Sequence, residues 1–254
     1  MAGAQGAGKS TFALFLANWL AHETGLRSIR VSLDDFYFGK AMRATLAQTV
    51  HPLLATRGVP GTHDVEAGRR ALKALTDTDD PGPVTLPAFD KGSDERLPGT
   101  VGPVVDAPVD VVVFEGWCVG ARPQPSELLA EPLNVLEAEG DPTGRWRGYV
   151  NERLAGDYAA LFETLDALVY LRVPSFEKVR EWRRRQEHEL RERRPGAGQT
   201  DAELAIFIMH YERLTRHMLD SVPGYADTVI DIDAGHRFAA LAHPGWGGLQ
   251  SDGG

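Results

Sequence analysis

The sequence predicts an α/β fold with a parallel sheet, on three observations. Apolar runs bounded by turn residues alternate with amphipathic helical patterns. One run, Val111-Val112-Val113-Phe114 after Pro108, is continuous and rich in β-branched residues, as a strand covered on both faces requires. A glycine-rich segment, Gly3-Ala4-Gln5-Gly6-Ala7-Gly8-Lys9-Ser10 followed by Thr11, opens directly into an apolar helical face.

The elements follow in order. Phe12, Phe15, Leu16, Trp19 and Leu20 recur at helical spacing and predict a helix with that apolar stripe buried. Ser28 to Leu33 alternates, with Ile29, Val31 and Leu33 on one face, and predicts a strand. Residues 77–108 are rich in Pro, Gly and Asp and predict mostly loop. After the Val111–Phe114 strand, Trp146, Tyr149, Val150, Leu154, Tyr158, Leu161, Phe162 and Leu165 mark one long helix. Ala167–Val173 and Thr228–Ile232 predict two more strands. A charged helix from Phe176 to Arg193 and another from Ala202 to Leu219 lie between them.

With 254 residues, 43% hydrophobic and 25% charged, the chain suits one domain, placed at residues 1–243, with a disordered tail over 244–254. The net charge of -9 shows no basic excess, which argues against a nucleic-acid partner. The single cysteine, Cys118, permits no internal disulfide. No apolar run has the length of a membrane span and no signal peptide is evident, so a cytoplasmic protein without a membrane partner is expected.

The glycine-rich segment matches G-x-x-x-x-G-K-[ST], the phosphate-binding P-loop. Glycines let backbone N–H groups turn inward around phosphate oxygens. Lys9 reaches the β/γ-phosphates, the Ser10 hydroxyl suits Mg²⁺, and the helix N-terminus adds its dipole. Gly3, Gln5, Gly6, Ala7, Gly8, Lys9, Ser10 and Thr11 are therefore the expected ATP-binding residues. Only Met1 and Ala2 precede Gly3, so the strand that ordinarily feeds a P-loop is expected to be missing: the native start lies upstream, the favoured reading, or the chain is a fragment or a decayed relative.

Two acidic positions end predicted strands, where α/β sheets gather ligands. Asp34 and Asp35 suit a general base for a substrate hydroxyl or a metal ligand, or else cap a turn. Glu115 ends a buried strand, where a carboxylate needs a cation or hydrogen bonds, and so occupies a Walker-B-like position. An acidic protein that binds an anion must concentrate positive charge locally. Arg57 and His63 lie in a Gly/Pro-shaped loop, Arg57 to Asp64, leading into a helix capped by Thr62 or Asp64. Lys91 and Arg96 add charge from a second loop. His188, His210 and His217 show no metal-ligand spacing, and Cys118 has no activating partner in view.

With these pieces the chain resembles the uridine kinase, phosphoribulokinase and pantothenate kinase group, and within it the plant-type D-glycerate 3-kinase family. The P-loop and Ser32-x-Asp34-x-Phe36-Tyr37 carry the broader likeness. Arg57 to Asp64, Pro87-Ala88-Phe89-Asp90-Lys91 with Asp94 and Arg96, Glu115-Gly116-Trp117, and Trp182-Arg183 with Gln186-Glu187-His188 carry the narrower one. It covers nearly the whole chain, from Gly3 to about Asp233.

The resemblance implies a three-layer P-loop NTPase fold with sheet order 2-3-1-4-5, the absent first strand at its centre, and a helical lid. It implies Asp34 as catalytic base and Ser10, Asp34 and Glu115 as the Mg²⁺ shell. The lid arginine falls on the helix from Lys178 to Arg194, with Arg183 the first choice and Arg184 the second. Asp35, Tyr37, Arg57, Thr62, His63, Asp64, Lys91 and Arg96 become candidate substrate contacts. The implied reaction moves the γ-phosphate of Mg·ATP to a small hydroxylated, anionic metabolite, D-glycerate above all, in a monomer or homodimer. Two other readings stay open: a kinase of the same fold for a nucleoside, pantothenate-like acid or sugar phosphate, and a nucleotide-binding regulator without kinase activity.

Overall fold

The computed structural model describes residues 1–99, 101–193 and 198–242. The tail predicted from Pro244 lies outside the described residues. In chain order the elements are β1 (Ala2–Gly3), α1 (Lys9–Thr24), β2 (Ser28–Ser32), α2 (Lys40–Thr49), α3 (Val65–Thr76), β3 (Gly82–Thr85), β4 (Phe89–Asp90), β5 (Glu95–Arg96), β6 (Val104–Ala107), β7 (Val111–Glu115), α4 (Val135–Gly140), α5 (Arg145–Arg153), α6 (Ala159–Phe162), β8 (Val169–Arg172), α7 (Phe176–Arg193), α8 (Asp201–Ser221), β9 (Thr228–Ile232) and β10 (Phe238–Ala242).

β2 runs parallel to β7, and β1, β8 and β9 run parallel to one another. A parallel bridge from Ala2 to Gly116 joins the two groups. The strand order is therefore β2-β7-β1-β8-β9, the expected 2-3-1-4-5, with antiparallel β10 on the outer edge. Ala2 and Gly3 occupy the central slot that the sequence reading leaves empty. The Met1 nitrogen donates to the Phe114 carbonyl at 2.6 Å and the Gly116 N–H to the Met1 carbonyl at 3.2 Å, so the slot is filled by a strand of only 2 residues.

Two apolar cores form on the two faces of this sheet. Leu171, Val173, Ala13, Ala17, Val179 and Trp182 belong to one; Tyr170, Phe114, Leu33, Leu161, Tyr211 and Met218 belong to the other. Alternation along the same strands makes the division, since neighbours point to opposite faces. Among the described residues no helix is long and apolar enough to cross a membrane.

Two expectations are corrected. α1 does not bury its whole aromatic stripe: Phe15 is 60% and Trp19 47% exposed, while Ala13 and Ala17 are buried. Small residues four apart let the helix lie close on the sheet, with Phe12 and Leu16 flanking, Leu20 half-buried, and Phe15 and Trp19 turned outward. The helix predicted from Trp146 to Leu165 is interrupted at Leu154–Tyr158, a π-turn with Gly156 at non-helical angles. The 77–108 stretch is mostly loop, as expected, and carries two small antiparallel pairs, β3 with β6 and β4 with β5.

Candidate active site

The phosphate loop leaves β1 and closes on itself before α1. The Ala7 N–H donates to the Ala4 carbonyl at 3.2 Å and Phe12 N–H to Gly8 carbonyl at 2.9 Å. Gly8 caps α1 at φ 83°, a left-handed angle that a side chain would strain. Lys9 Nζ donates to the Ala4 carbonyl at 3.0 Å. Burial pushes the Lys9 ammonium down, while the carboxylates of Glu115 and Asp34 pull it the other way. Gln5, Gly6, Gly8, Lys9, Ser10 and Thr11 line a cleft of about 350 Å³. Gly3 and Ala7 are buried beneath it.

Glu115, the last residue of β7, is buried and satisfied by two donors on Oε1: Ser10 Oγ at 2.8 Å and Arg30 Nη1 at 3.1 Å. This is how the strand end tolerates a carboxylate. A hydroxyl and a carboxylate beside a phosphate loop are hard oxygen donors, the set that Mg²⁺ accepts together with water. Asp34 lines the same cleft as Ser10 and Glu115. Among the described residues no three of His, Cys, Asp or Glu meet at metal-binding spacing.

Asp34 sits in the 3₁₀ turn Leu33–Phe36 that follows β2. Both its oxygens are engaged. Tyr37 Oη donates to Oδ1 at 2.9 Å and Lys91 Nζ to Oδ2 at 2.6 Å. Burial pushes this carboxyl up, but the Lys91 charge and hydrogen bond outweigh it and hold it below the usual range. Asp35 is not among the residues that line the cleft, and burial pushes its carboxyl up against the pull of Arg30.

Of the predicted substrate contacts, Tyr37, Arg57 and Lys91 line the cleft with Asp34. Arg57 reaches it while paired with Asp94, its guanidinium 5.5 Å from the Phe89 ring. The others do not reach it. Thr62 is fully buried, its hydroxyl accepting from Gly58 N at 2.9 Å and donating to the Val59 carbonyl at 2.7 Å. Asp64 rather than Thr62 caps α3, accepting from Ala67 N at 3.0 Å, and its other oxygen holds Arg96 at 3.1 Å. His63 lies behind Tyr37, stacked on its ring at 4.4 Å, with Nδ1 2.5 Å from Tyr158 Oη. These four shape the loop instead of lining the cavity.

On α7, Arg183 lines the cleft, with Nη1 3.0 Å from Gln186 Oε1 and Nη2 3.2 Å from Glu187 Oε2. Arg184 is exposed and points elsewhere. Sequence reasoning missed Phe207 and Tyr211 of α8, which form a wall of the cleft, and Trp117, whose ring meets Tyr211 edge-on at 4.9 Å. In the sequence the first two read only as an apolar helix face, so no local signal marks them. Cys118 is fully buried and burial pushes its thiol up, consistent with a packing residue.

No family model matches the chain. It is 33% identical over 227 residues to the uncharacterised kinase mug58 of Schizosaccharomyces pombe, covering 83% of this chain and 76% of that one. It is 29% identical over 214 residues to the chloroplastic D-glycerate 3-kinase of Arabidopsis thaliana, covering 82% of this chain and 44% of that longer one. The solved D-glycerate 3-kinase of Cryptococcus neoformans superposes with a TM-score of 0.78 at 25% identity, over 95% of this chain and 88% of that one. The chain therefore belongs to the kinase family that includes the plant and fungal D-glycerate 3-kinases, and is a phosphotransferase with a hydroxyl acceptor.

Proposed function

We propose that this kinase moves the γ-phosphate of ATP to D-glycerate, giving 3-phosphoglycerate. The observation that carries the reading is the pairing, in one cleft, of a phosphate loop with Asp34 and two cations, Arg57 and Lys91. A small hydroxy acid needs both: a base for its hydroxyl and cationic contacts for its carboxylate.

In this reading Lys9 and the loop N–H groups hold the β- and γ-phosphates. Ser10, Glu115 and Asp34 would hold Mg²⁺, directly or through water, and the ion would offset charge on the phosphate oxygens. Asp34 takes the proton of the acceptor hydroxyl as its oxygen bonds to the γ-phosphorus and the bond to ADP breaks. Arg183 reaches the cleft from α7 and balances charge on the moving phosphoryl group. Most of the acceleration comes from positioning and fixed charge.

A coupled ADP-release assay with D-glycerate beside uridine, pantothenate and ribulose 5-phosphate tests the acceptor. Turnover with D-glycerate alone is expected, and turnover confined to another acceptor would replace it. Asp34→Asn is expected to lower turnover by about 10²-fold or more while nucleotide binding survives. A near-normal rate in that variant removes Asp34 as the base.

A further inference from the structure

Lys91 reaches Asp34 from a turn that is fixed at several points. Asp90 accepts from Gly92 N at 3.0 Å, from Ser93 N at 3.2 Å and from Ser93 Oγ at 2.6 Å. Asp94, at φ 56°, takes Arg43 on Oδ2 at 2.7 Å and Arg57 on Oδ1. Leu97 N donates to the Ala88 carbonyl at 2.9 Å and closes the hairpin. The turn therefore has a settled place, and it puts the Lys91 ammonium on the oxygen of Asp34 that Tyr37 leaves open.

The two contacts on Asp34 differ in kind. Tyr37 is buried, whereas the Lys91 side chain is 61% exposed. An ion pair with so exposed a partner is weak and easily exchanged. Arg57 lies in the same cleft, as do Lys9 and Arg183, so an anionic group entering beside Asp34 meets a cationic wall and can draw Lys91 toward itself.

We propose that Lys91 selects the acceptor by occupying the base: it stays on Asp34 until an acceptor with an anionic group draws it off and opens Oδ2 to the hydroxyl. A neutral alcohol offers Lys91 no charge and meets a base already paired. Water is excluded on the same ground. Were it admitted, its oxygen would bond to the γ-phosphorus as the bond to ADP breaks, its proton would pass to Asp34, and ADP and inorganic phosphate would leave in place of a phosphorylated acceptor. This inference rests on Asp34 as base but not on D-glycerate as acceptor.

The test is ADP release from Mg·ATP by the full chain with no acceptor present. Lys91→Met is expected to raise that rate about tenfold, a part of what a positioned base contributes. The rise should vanish in Lys91→Met combined with Asp34→Asn. With acceptors present, the preference of Lys91→Met for D-glycerate over glycerol should shrink by at least about tenfold, the weight of one charged contact. Thermal stabilisation by Mg·ATP verifies folding, and Lys91→Gln replaces the Met variant if that one fails to fold.

An unchanged or lower acceptor-free rate in a folded Lys91 variant overturns the proposal and leaves Lys91 a plain substrate contact. A rise that persists without Asp34 overturns it equally. Normal acceptor turnover in Asp34→Asn alone would instead remove the base and the selection with it. Failure of D-glycerate in the acceptor panel leaves the acceptor-free readout intact.

Discussion

His63 illustrates how far a side chain's surroundings can depart from its place in a motif. Its ring lies between Tyr37 and Tyr158, 2% exposed, and burial pushes its pKa down from 6.5 to about 4 against the pull of Asp34. The folded protein therefore keeps this ring neutral where the unfolded chain would take up a proton. Above pH 6.5 neither state binds the proton and the ring costs nothing. As pH falls from 6.5 toward 4 only the unfolded state gains it, so stability is lost across that window. The loss amounts to about 3 kcal/mol. Urea unfolding followed against pH should show that loss in the parent protein and a curve flatter by a similar amount in His63→Phe. Parallel curves would mean that the folded ring charges freely. Lys9, Asp34 and Glu115 are legible as cleft residues because each is fixed by backbone position: a loop, the turn after a strand, a strand end. His63, Thr62 and Arg96 are not, because nothing local says whether a loop side chain turns toward the cleft or into the core.

Among the elements, the 57–64 loop shows why its own sequence understates it. Its anchors lie far along the chain. Trp117 Nε1 donates to the Gly58 carbonyl at 2.8 Å across 59 residues, and Tyr211 Oη to the Arg57 carbonyl at 2.9 Å across 154. Tyr158 Oη accepts from Gly61 N at 3.0 Å. Gly58 sits at φ 130°, and a Cβ there would lie 1.9 Å from Tyr211 Oη. Gly58→Ala should therefore push Tyr211 away, free the Arg57 backbone and shift that guanidinium in the cleft. The expected cost is about 1–3 kcal/mol of stability, read by urea unfolding, for strained backbone of this kind. KM for the acceptor should rise more than KM for ATP if Arg57 is the acceptor contact proposed above. A variant of parent stability would show that the loop relaxes without its glycine. The α1 stripe teaches the same lesson from the other direction. Periodicity located the helix, but the close approach of Ala13 and Ala17 to the sheet, a tertiary fact, decided which residues it buries.

At the scale of the molecule, the parallel strands bind the two cores into one structure. Val113 packs into one core and Phe114 into the other; Leu171 and Tyr170 divide in the same way, as do Ile232 and Val229. Melting either core strips one face from strands that the other core needs. Helices α4, α5 and α8 are tied in by buried charge, with Arg213 Nη2 2.6 Å from Glu137 Oε2 and Arg147 Nη1 3.0 Å from Asp141 Oδ2. Breaking one partner of such a pair is costly, so these helices should not peel away early. The chain is accordingly expected to unfold as one domain, with tryptophan fluorescence and far-UV circular dichroism giving coincident transitions. The phosphate loop joins β1 to α1 at the centre of this structure, so a ligand there should stabilise both cores together. Mg·ATP at 100 times its Kd should add about 2.7 kcal/mol to the whole transition. Lys9→Ala should abolish most of that gain by removing the phosphate contact. Two separated transitions, or a gain seen by only one probe, would show that the sheet does not couple its two faces and that the nucleotide steadies only its own side.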